Sequence, residues 1–338
     1  MCVYFECSLT TAAVLRDADI FHHYTAWLGA WTALKIRGWP TDAAADEFDV
    51  LLVDEHPRKT RQCDSLSDAI WGLFGQVQRA TEFPSGRVCF ENVVFATQGW
   101  ASFQLYQTAA EHARGGFPAC TPSTMFVDFS SWLMTAIDPS VAEIQKQHEM
   151  TRAQHAAESG LRSGYITIAL VGRRKETSVH GSRMILNEPQ LIHAMQRGHG
   201  IDVSTSRWRL EFKIKVSLLY FEDFGLLELV RTMATVDVLI GMHGAGLTNL
   251  LFLPKSSAVV ELFNMGMGTE RGDFEYQKMA QLLGIQYSNW TNADEARQKL
   301  SNSTKREAKR RPAIFASTDV DIDEVCRTVW KSLDKIFN

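Results

Sequence analysis

The chain has 338 residues, a formal net charge of −4 at pH 7, and 45% apolar and 22% charged residues. That is enough for two domains of about 150 residues, each with its own core. The near-balanced charge gives no electrostatic case for nucleic acid or an anionic membrane surface. The six cysteines (Cys2, Cys7, Cys63, Cys89, Cys120 and Cys326) form no CxxC pair and no His-rich spacing, so no metal site is expected.

In chain order, "MCVYFECSLTTAAVL" lacks a basic n-region and carries Glu6 in its apolar stretch, so it reads as a poor signal peptide. No later stretch is long enough to span a bilayer. "FHHYTAWLGAWTALKIRGWP", from Phe21, puts Trp27, Trp31 and Leu34 at helical spacing and stops at Gly38 and Pro40, which predicts a buried helix. "FDVLLVD" and "RVCFENVVFA" are valine-rich runs of the kind buried strands use, and Asp64 to Gln78 between them reads as an amphipathic helix. The polar helical stretch from Asp138 to Leu161, with Pro139 near its start, is expected to connect two domains.

The second half alternates more regularly. "YITIALVG", "FKIKVSLL", "VDVLIG", "AVVELF" and "IQYSNW" read as strands. The segments between them include "NEPQLIHAMQRG", expected to be capped by Asn187, "FGLLELVRTMAT" and "FEYQKMAQLLG", all helical. Strands joined by helical crossovers predict an α/β fold with a parallel, doubly wound sheet. Asn292 to Pro312 is a charged loop, its "KREAKRR" run reads as solvated, and "DIDEVCRTVWKSLDKIF" closes the chain as a helix. The expected organisation is an N-terminal domain over 1–138, a connecting helix over 139–161, a C-terminal domain over 162–315 and a last helix over 316–338.

"GMHGAGLTN", Gly241 to Asn249, falls at the carboxyl end of a strand, where open parallel sheets bind ligands. Its glycines let backbone approach a ligand, and the amides of a helix beginning near Leu247, with the Thr248 hydroxyl, suit a phosphate. A plain tight turn with a core histidine is the competing reading. The spacing GxxGxG reverses the dinucleotide fingerprint, and no GK[ST] follows, so neither a dehydrogenase nor an ATPase is expected. Glu261 ends the next strand, where its carboxylate can accept from ribose hydroxyls. Arg173 and Arg174 end "ITIALVG" and Arg183 follows ten residues after Arg173, which adds guanidiniums able to fork onto a diphosphate.

"DVLIGMHGAGLTNLLFLPKSSAVVELFN" strongly resembles the signature of glycosyltransferase family 61. "FHHYTAWLGAW", "DVLLVDEH", "DSLSDAIWGLF", "RVCFENVVF", "RMILNEPQLIHAM" and "MAQLLGIQYSNW" match further segments in order, so that Asp17 to Phe337 is covered. The resemblance implies a GT-B architecture, two Rossmann-like domains facing across a cleft. It also implies an inverting transfer from a UDP-sugar, N-acetylglucosamine first among donors, to Ser/Thr hydroxyls of a protein. No metal or other cofactor is required in that reaction. Arg173, Arg183, His243, Gly244, Ala245, Gly246, Leu247, Thr248 and Glu261 then bind the nucleotide-sugar, and His22 or His23 is the base for the acceptor hydroxyl.

The family carries an acidic residue three or four positions after this histidine, where the chain has Thr25, Ala26 and Trp27. A β-1,2-xylosyltransferase or other pentosyltransferase of the family, and a catalytically inactive nucleotide-sugar-binding protein, remain alternatives. Kinship and the sequons at Asn289 and Asn302 point to a glycoprotein of the endoplasmic reticulum or Golgi lumen, and Cys89 and Cys120 match family cysteines that could pair.

Overall fold

The computed structural model describes residues 2–6, 20–36, 38, 49–53, 69–79, 93–95, 122–157, 164–174, 183–202, 204, 206, 212–268, 274–300 and 315–337. Two compact units divide the chain: Met1–Tyr106, Thr124–Pro139 and Gly225–Leu227 form the first, and Gln107–Ser123, Ser140–Phe224 and Glu228–Asn338 the second. Each holds a parallel sheet, so the chain is α/β.

In the first unit the strands are β1 (Cys2–Glu6), β2 (Asp49–Val53), β3 (Gln76–Arg79) and β4 (Val93–Phe95), in spatial order β3-β2-β1-β4. The opening residues, read above as a poor signal peptide, form an inner strand in register with β2 from Cys2↔Asp49 to Glu6↔Val53. The helix expected over Asp64 to Gln78 is corrected at its end, its start lying outside the described residues. Residues 69–71 are helical, Gly72 and Gly75 follow, and Gln76–Arg79 leaves as β3 to pair with β2.

Helix α1 (Ile20–Ile36) is apolar on every side and accordingly buried, with Tyr24, Trp27, Leu28 and Trp31 at 4% exposure or less. Its rings meet those of α2 (Thr124–Ile137): Trp31 and Tyr24 lie 5.7 and 5.8 Å from Phe129. Trp27 meets Trp71 edge-on at 6.3 Å. Burying each such side chain contributes about 1.5–3 kcal/mol.

The second unit starts with α3 (Val141–Ala157), the helix expected between domains, and then β5 (Gly164–Val171). Next come α4 (Glu188–Gln196), β6 (Phe212–Leu219), α5 (Leu226–Met233) and β7 (Val238–Met242). β8 (Ala258–Phe263), α6 (Glu275–Leu283) and β9 (Gln286–Thr291) complete the sheet, whose order is β6-β5-β7-β8-β9, all parallel. β7 and β8 are buried at every residue, which is why they read as unbroken apolar runs.

The last stretch holds more than a helix. β10 (Gln298–Leu300), inside the expected charged loop, pairs antiparallel with β11 (Ala316–Thr318), which precedes α7 (Ile322–Phe337). Val325, Val329 and Leu333 of α7 join Ile166, Ile168, Val260 and Leu262 in one core. Asn187 stands at the start of α4 but makes no capping bond. Its side chain instead pairs with both backbone groups of Val320, at 2.8 and 2.9 Å, which ties α4 to the strand that leads into α7.

Candidate functional site

The chain runs from β5 to β6 on one side of the second sheet, then returns to β7 on the other side of β5. The carboxyl ends of β5 and β7 therefore flank the point where strand order reverses, the usual ligand crevice of an open parallel sheet. β5 delivers Arg173 there and β7 delivers the glycine loop.

Gly244 has φ +145, a backbone that L side chains rarely adopt. A Cβ on it would strike Arg173 Nη2 and come within 2.8 Å of Arg183 Nη1, so two guanidiniums lie directly against the loop. Gly246 answers a different need, since a Cβ there would come within 2.8 Å of Val171 and lift the loop off the end of β5.

Arg183 is itself unusual, a non-glycine residue at φ 58. Such a backbone costs about 1–3 kcal/mol and persists only where its surroundings dictate it. Here its N–H donates to the Ala316 carbonyl at 2.7 Å, the same carbonyl that accepts from Asn264 Nδ2 at 2.9 Å. Its Nη1 donates to the His243 carbonyl at 3.1 Å. Two guanidiniums converging on one glycine favour a multiply charged anion as ligand.

His243 follows β7 with a side chain 14% exposed, and its Nδ1 lies 2.6 Å from Glu261 Oε1. Phe263 stacks on the imidazole at 5.4 Å and Tyr276 meets it edge-on at 5.6 Å. Glu261 is fully buried, and its other oxygen accepts from the Tyr287 hydroxyl at 2.6 Å. Burial first, and the Glu261 carboxylate second, push the Tyr287 phenol far above its ordinary range, so it stays an O–H donor.

Of the residues singled out in the sequence, Arg173, Arg183, His243, Gly244, Ala245 and Gly246 come together at this edge. Arg174 does not join them. It forks onto Asp223, with both bonds at 2.5 Å, and lies over the Tyr220 ring. The helix expected to begin near Leu247 is a 3-10 helix from Ala245 to Phe252, and the Leu247 N–H is already used by the Gly244 carbonyl at 2.9 Å. The amides of Ala245 and Gly246, the first of that helix, are the ones a ligand can take. Thr248 is fully buried, and its hydroxyl is enclosed without a hydrogen-bond partner among the described residues. Glu261, expected to meet ribose, gives each oxygen to a protein donor.

On the other unit, His23 is 8% exposed and stacks on Trp27 at 5.8 Å in the aromatic core. The side chain of His22, Cys89, Cys120 and the sequon at Asn302 lie outside the described residues. Asn289 is exposed on β9. Among the described residues no three His, Cys, Asp or Glu side chains gather as a metal site would need, and no helix is long and apolar enough to cross a membrane.

The family model for glycosyltransferase 61 matches residues 87–260, a span that contains β5, both arginines and the glycine loop. The chain belongs to glycosyltransferase family 61. Among curated relatives of this family member, the EGF domain-specific O-linked N-acetylglucosamine transferase of Bos taurus is 27% identical over 274 residues. That alignment takes in 80% of this chain and 42% of the relative. The Rattus norvegicus protein of the same name is 25% identical over 325 residues, 94% of this chain and 51% of its own length. The chain thus spans about half the length of these relatives or less. A family 9 glycosyltransferase from Veillonella parvula superposes with a TM-score of 0.36 at 12% identity, over 99% of this chain and 97% of its own, too loose a match to carry an argument.

Asn264 and Tyr287 escaped the sequence reading. A signal for Tyr287 existed: alternate residues of "IQYSNW" put Tyr287 and Asn289 on one face of an edge strand, and Asn289 is in register with Glu261. Asn264 simply followed a strand, and nothing local marked its bond to Ala316, 52 residues away.

Proposed function

We propose that this family 61 member is an inverting glycosyltransferase of GT-B type that moves N-acetylglucosamine from UDP to serine or threonine hydroxyls of a protein. The observation that carries it is the convergence of Arg173 and Arg183 on Gly244 beside the His243 loop. In the transfer the acceptor oxygen bonds to the anomeric carbon from the face opposite the diphosphate. The bond from that carbon to the phosphate oxygen breaks, and its electron pair leaves with UDP. Negative charge therefore grows on the diphosphate, where the two guanidiniums and the amides of Ala245 and Gly246 stabilise it. No metal enters this scheme.

His22 is the proposed acceptor of the hydroxyl proton, since His23 is spent on packing. The protein acceptor is inferred from the relatives named for EGF domains, small disulfide-bonded modules of secreted proteins, so the reaction belongs in the secretory lumen.

Calorimetric titration with UDP, UDP-N-acetylglucosamine, UDP-xylose and NAD tests the donor half. UDP and UDP-N-acetylglucosamine should bind and NAD should not. Folded protein that ignores UDP would sink the reading. Incubation with UDP-N-acetylglucosamine and a folded EGF domain, read by intact mass, tests the acceptor half. Preferential turnover of UDP-xylose would move the assignment to pentosyl transfer.

A further inference from the structure

Tyr287 lies in none of the motifs that mark the donor site, yet it is bonded into it. Its hydroxyl donates to Glu261 Oε2, Glu261 Oε1 holds His243 Nδ1, and the His243 carbonyl holds Arg183 Nη1. The relay crosses the sheet from its edge strand β9, through β8, to the loop after β7.

A carboxylate that is fully buried needs donors on both oxygens, and two bonds of 2.6 Å supply them. With Nδ1–H committed to Glu261, the tautomer and the ring plane of His243 are set by its partner rather than by solvent. Phe263 and Tyr276 bracket the same ring and oppose rotation. The main chain of His243 is held too, because its N–H donates to the Leu262 carbonyl at 2.8 Å, so the carbonyl that receives Arg183 has a fixed direction.

We propose that Tyr287 is a positioning residue of the nucleotide-sugar site: through Glu261 it holds His243 in its Nδ1-protonated form and keeps the loop that orients Arg183 in its binding geometry. This rests on the donor-site reading given above. The phenol is suited to the task because it stays protonated well past neutral pH, so the relay never loses its outer donor under working conditions. Among the described residues, the charged or titratable groups that flank the imidazole and its loop include Glu261 on β8, Tyr287 on β9, Tyr276 on α6 and the guanidiniums of Arg183 and Arg173. Glu275 of α6 adds its carboxylate near the phenol.

The test uses the full chain labelled with ¹⁵N-histidine, the His243 signals being identified by their loss in His243→Gln. The wild-type spectrum should show a protonated Nδ1, which is the minor form of a neutral histidine in water. A neutral ring protonated at Nε2 and bare at Nδ1 in the wild type overturns the proposal without any further variant. In Tyr287→Phe the His243 nitrogens should shift towards the solvent-like form, and the Kd for UDP should rise about 3- to 10-fold, the loss expected when a bond to a charged group is removed. A tyrosine that only packs would lower Tm and leave the His243 signals and the UDP affinity unmoved, which also overturns the proposal. If the wild type binds no UDP, the donor-site reading fails, and the nitrogen shifts still decide whether Tyr287 sets the state of His243.

Discussion

The two parallel sheets of this protein spend their side chains differently. The first unit packs α1 against α2 through tryptophan, tyrosine and phenylalanine rings, and even its polar handles are enclosed: Tyr24 Oη and the Nε1 atoms of Trp27 and Trp31 have no hydrogen-bond partner among the described residues. The second unit keeps its inner strands apolar and gathers Arg183, His243, Glu261, Asn264 and Tyr287 at one edge, each tied to another element, with Arg173 beside Gly244. Its opposite edge carries a second histidine–carboxylate pair, His148 with buried Asp237 at 3.0 Å, in which the aspartate also accepts from Thr167 N–H. Of these two carboxylate–histidine bonds, the one at the carboxyl edge stands beside the glycine loop that we propose holds the donor, and the other pins the start of β7 to β5.

The sharpest way to break this contrast is Trp27→Ala. Removing a fully enclosed indole should cost about 3–5 kcal/mol, seen as a lower denaturant midpoint, while the UDP titration of the protein that remains folded stays unchanged. Loss of UDP binding at equal folded fraction would mean the aromatic unit and the polar edge are not separable.

Gly244→Ala attacks the edge instead. A methyl group there meets both guanidiniums on a backbone that disfavours it, and UDP affinity should fall about 100-fold or more, roughly 2.7 kcal/mol. Arg183→Ala should weaken UDP by about 10- to 50-fold, with Arg183→Lys recovering only part, because an ammonium cannot fork. Equal binding by the lysine variant would show that only charge matters at this position.

Asn264→Ala should cost about 1–2 kcal/mol of stability and loosen UDP a few-fold, since it strips one of two donors from the carbonyl that pins Arg183. The smallest effect belongs to the exposed Arg174–Asp223 fork. The bond from Arg174 holds the Asp223 carboxyl below its usual range. Its folded-state value thus lies under the unfolded one, so the contribution is present above about pH 4 and is lost as pH falls through the lowered value. Asp223→Asn should lower stability slightly at neutral pH and leave it unchanged in strong acid, which flattens the acid limb of a stability-versus-pH curve.

Several features were legible in order. The apolar runs of the second half announced β5, β7 and β8, the inner strands, because strands buried on both faces are continuous in apolar residues. The glycine loop and Arg173 and Arg183 were legible as a set, and the fold brings those two arginines against Gly244. The end of the helix expected to run to Gln78 is instead a strand, because Gly72 and Gly75 stop the helix and Gln76–Arg79 finds ladder bonds along the edge of β2. Asn187 was read as a cap, and Val320, 133 residues away, claimed its amide. Arg174 carried the right chemistry for the site, and pairing with Asp223 took it elsewhere.

By itself the sequence determined the kinds of element, their order and the residues whose chemistry suits a diphosphate, because hydrophobic period and side-chain type are local properties. Which arginine reaches Gly244, which amides of the loop remain for a ligand, and that Glu261 answers to His243 and Tyr287 were decided only by the tertiary structure. Hydrogen bonds between neighbouring strands join residues 18 and 26 positions apart, and no local pattern encodes such a pairing.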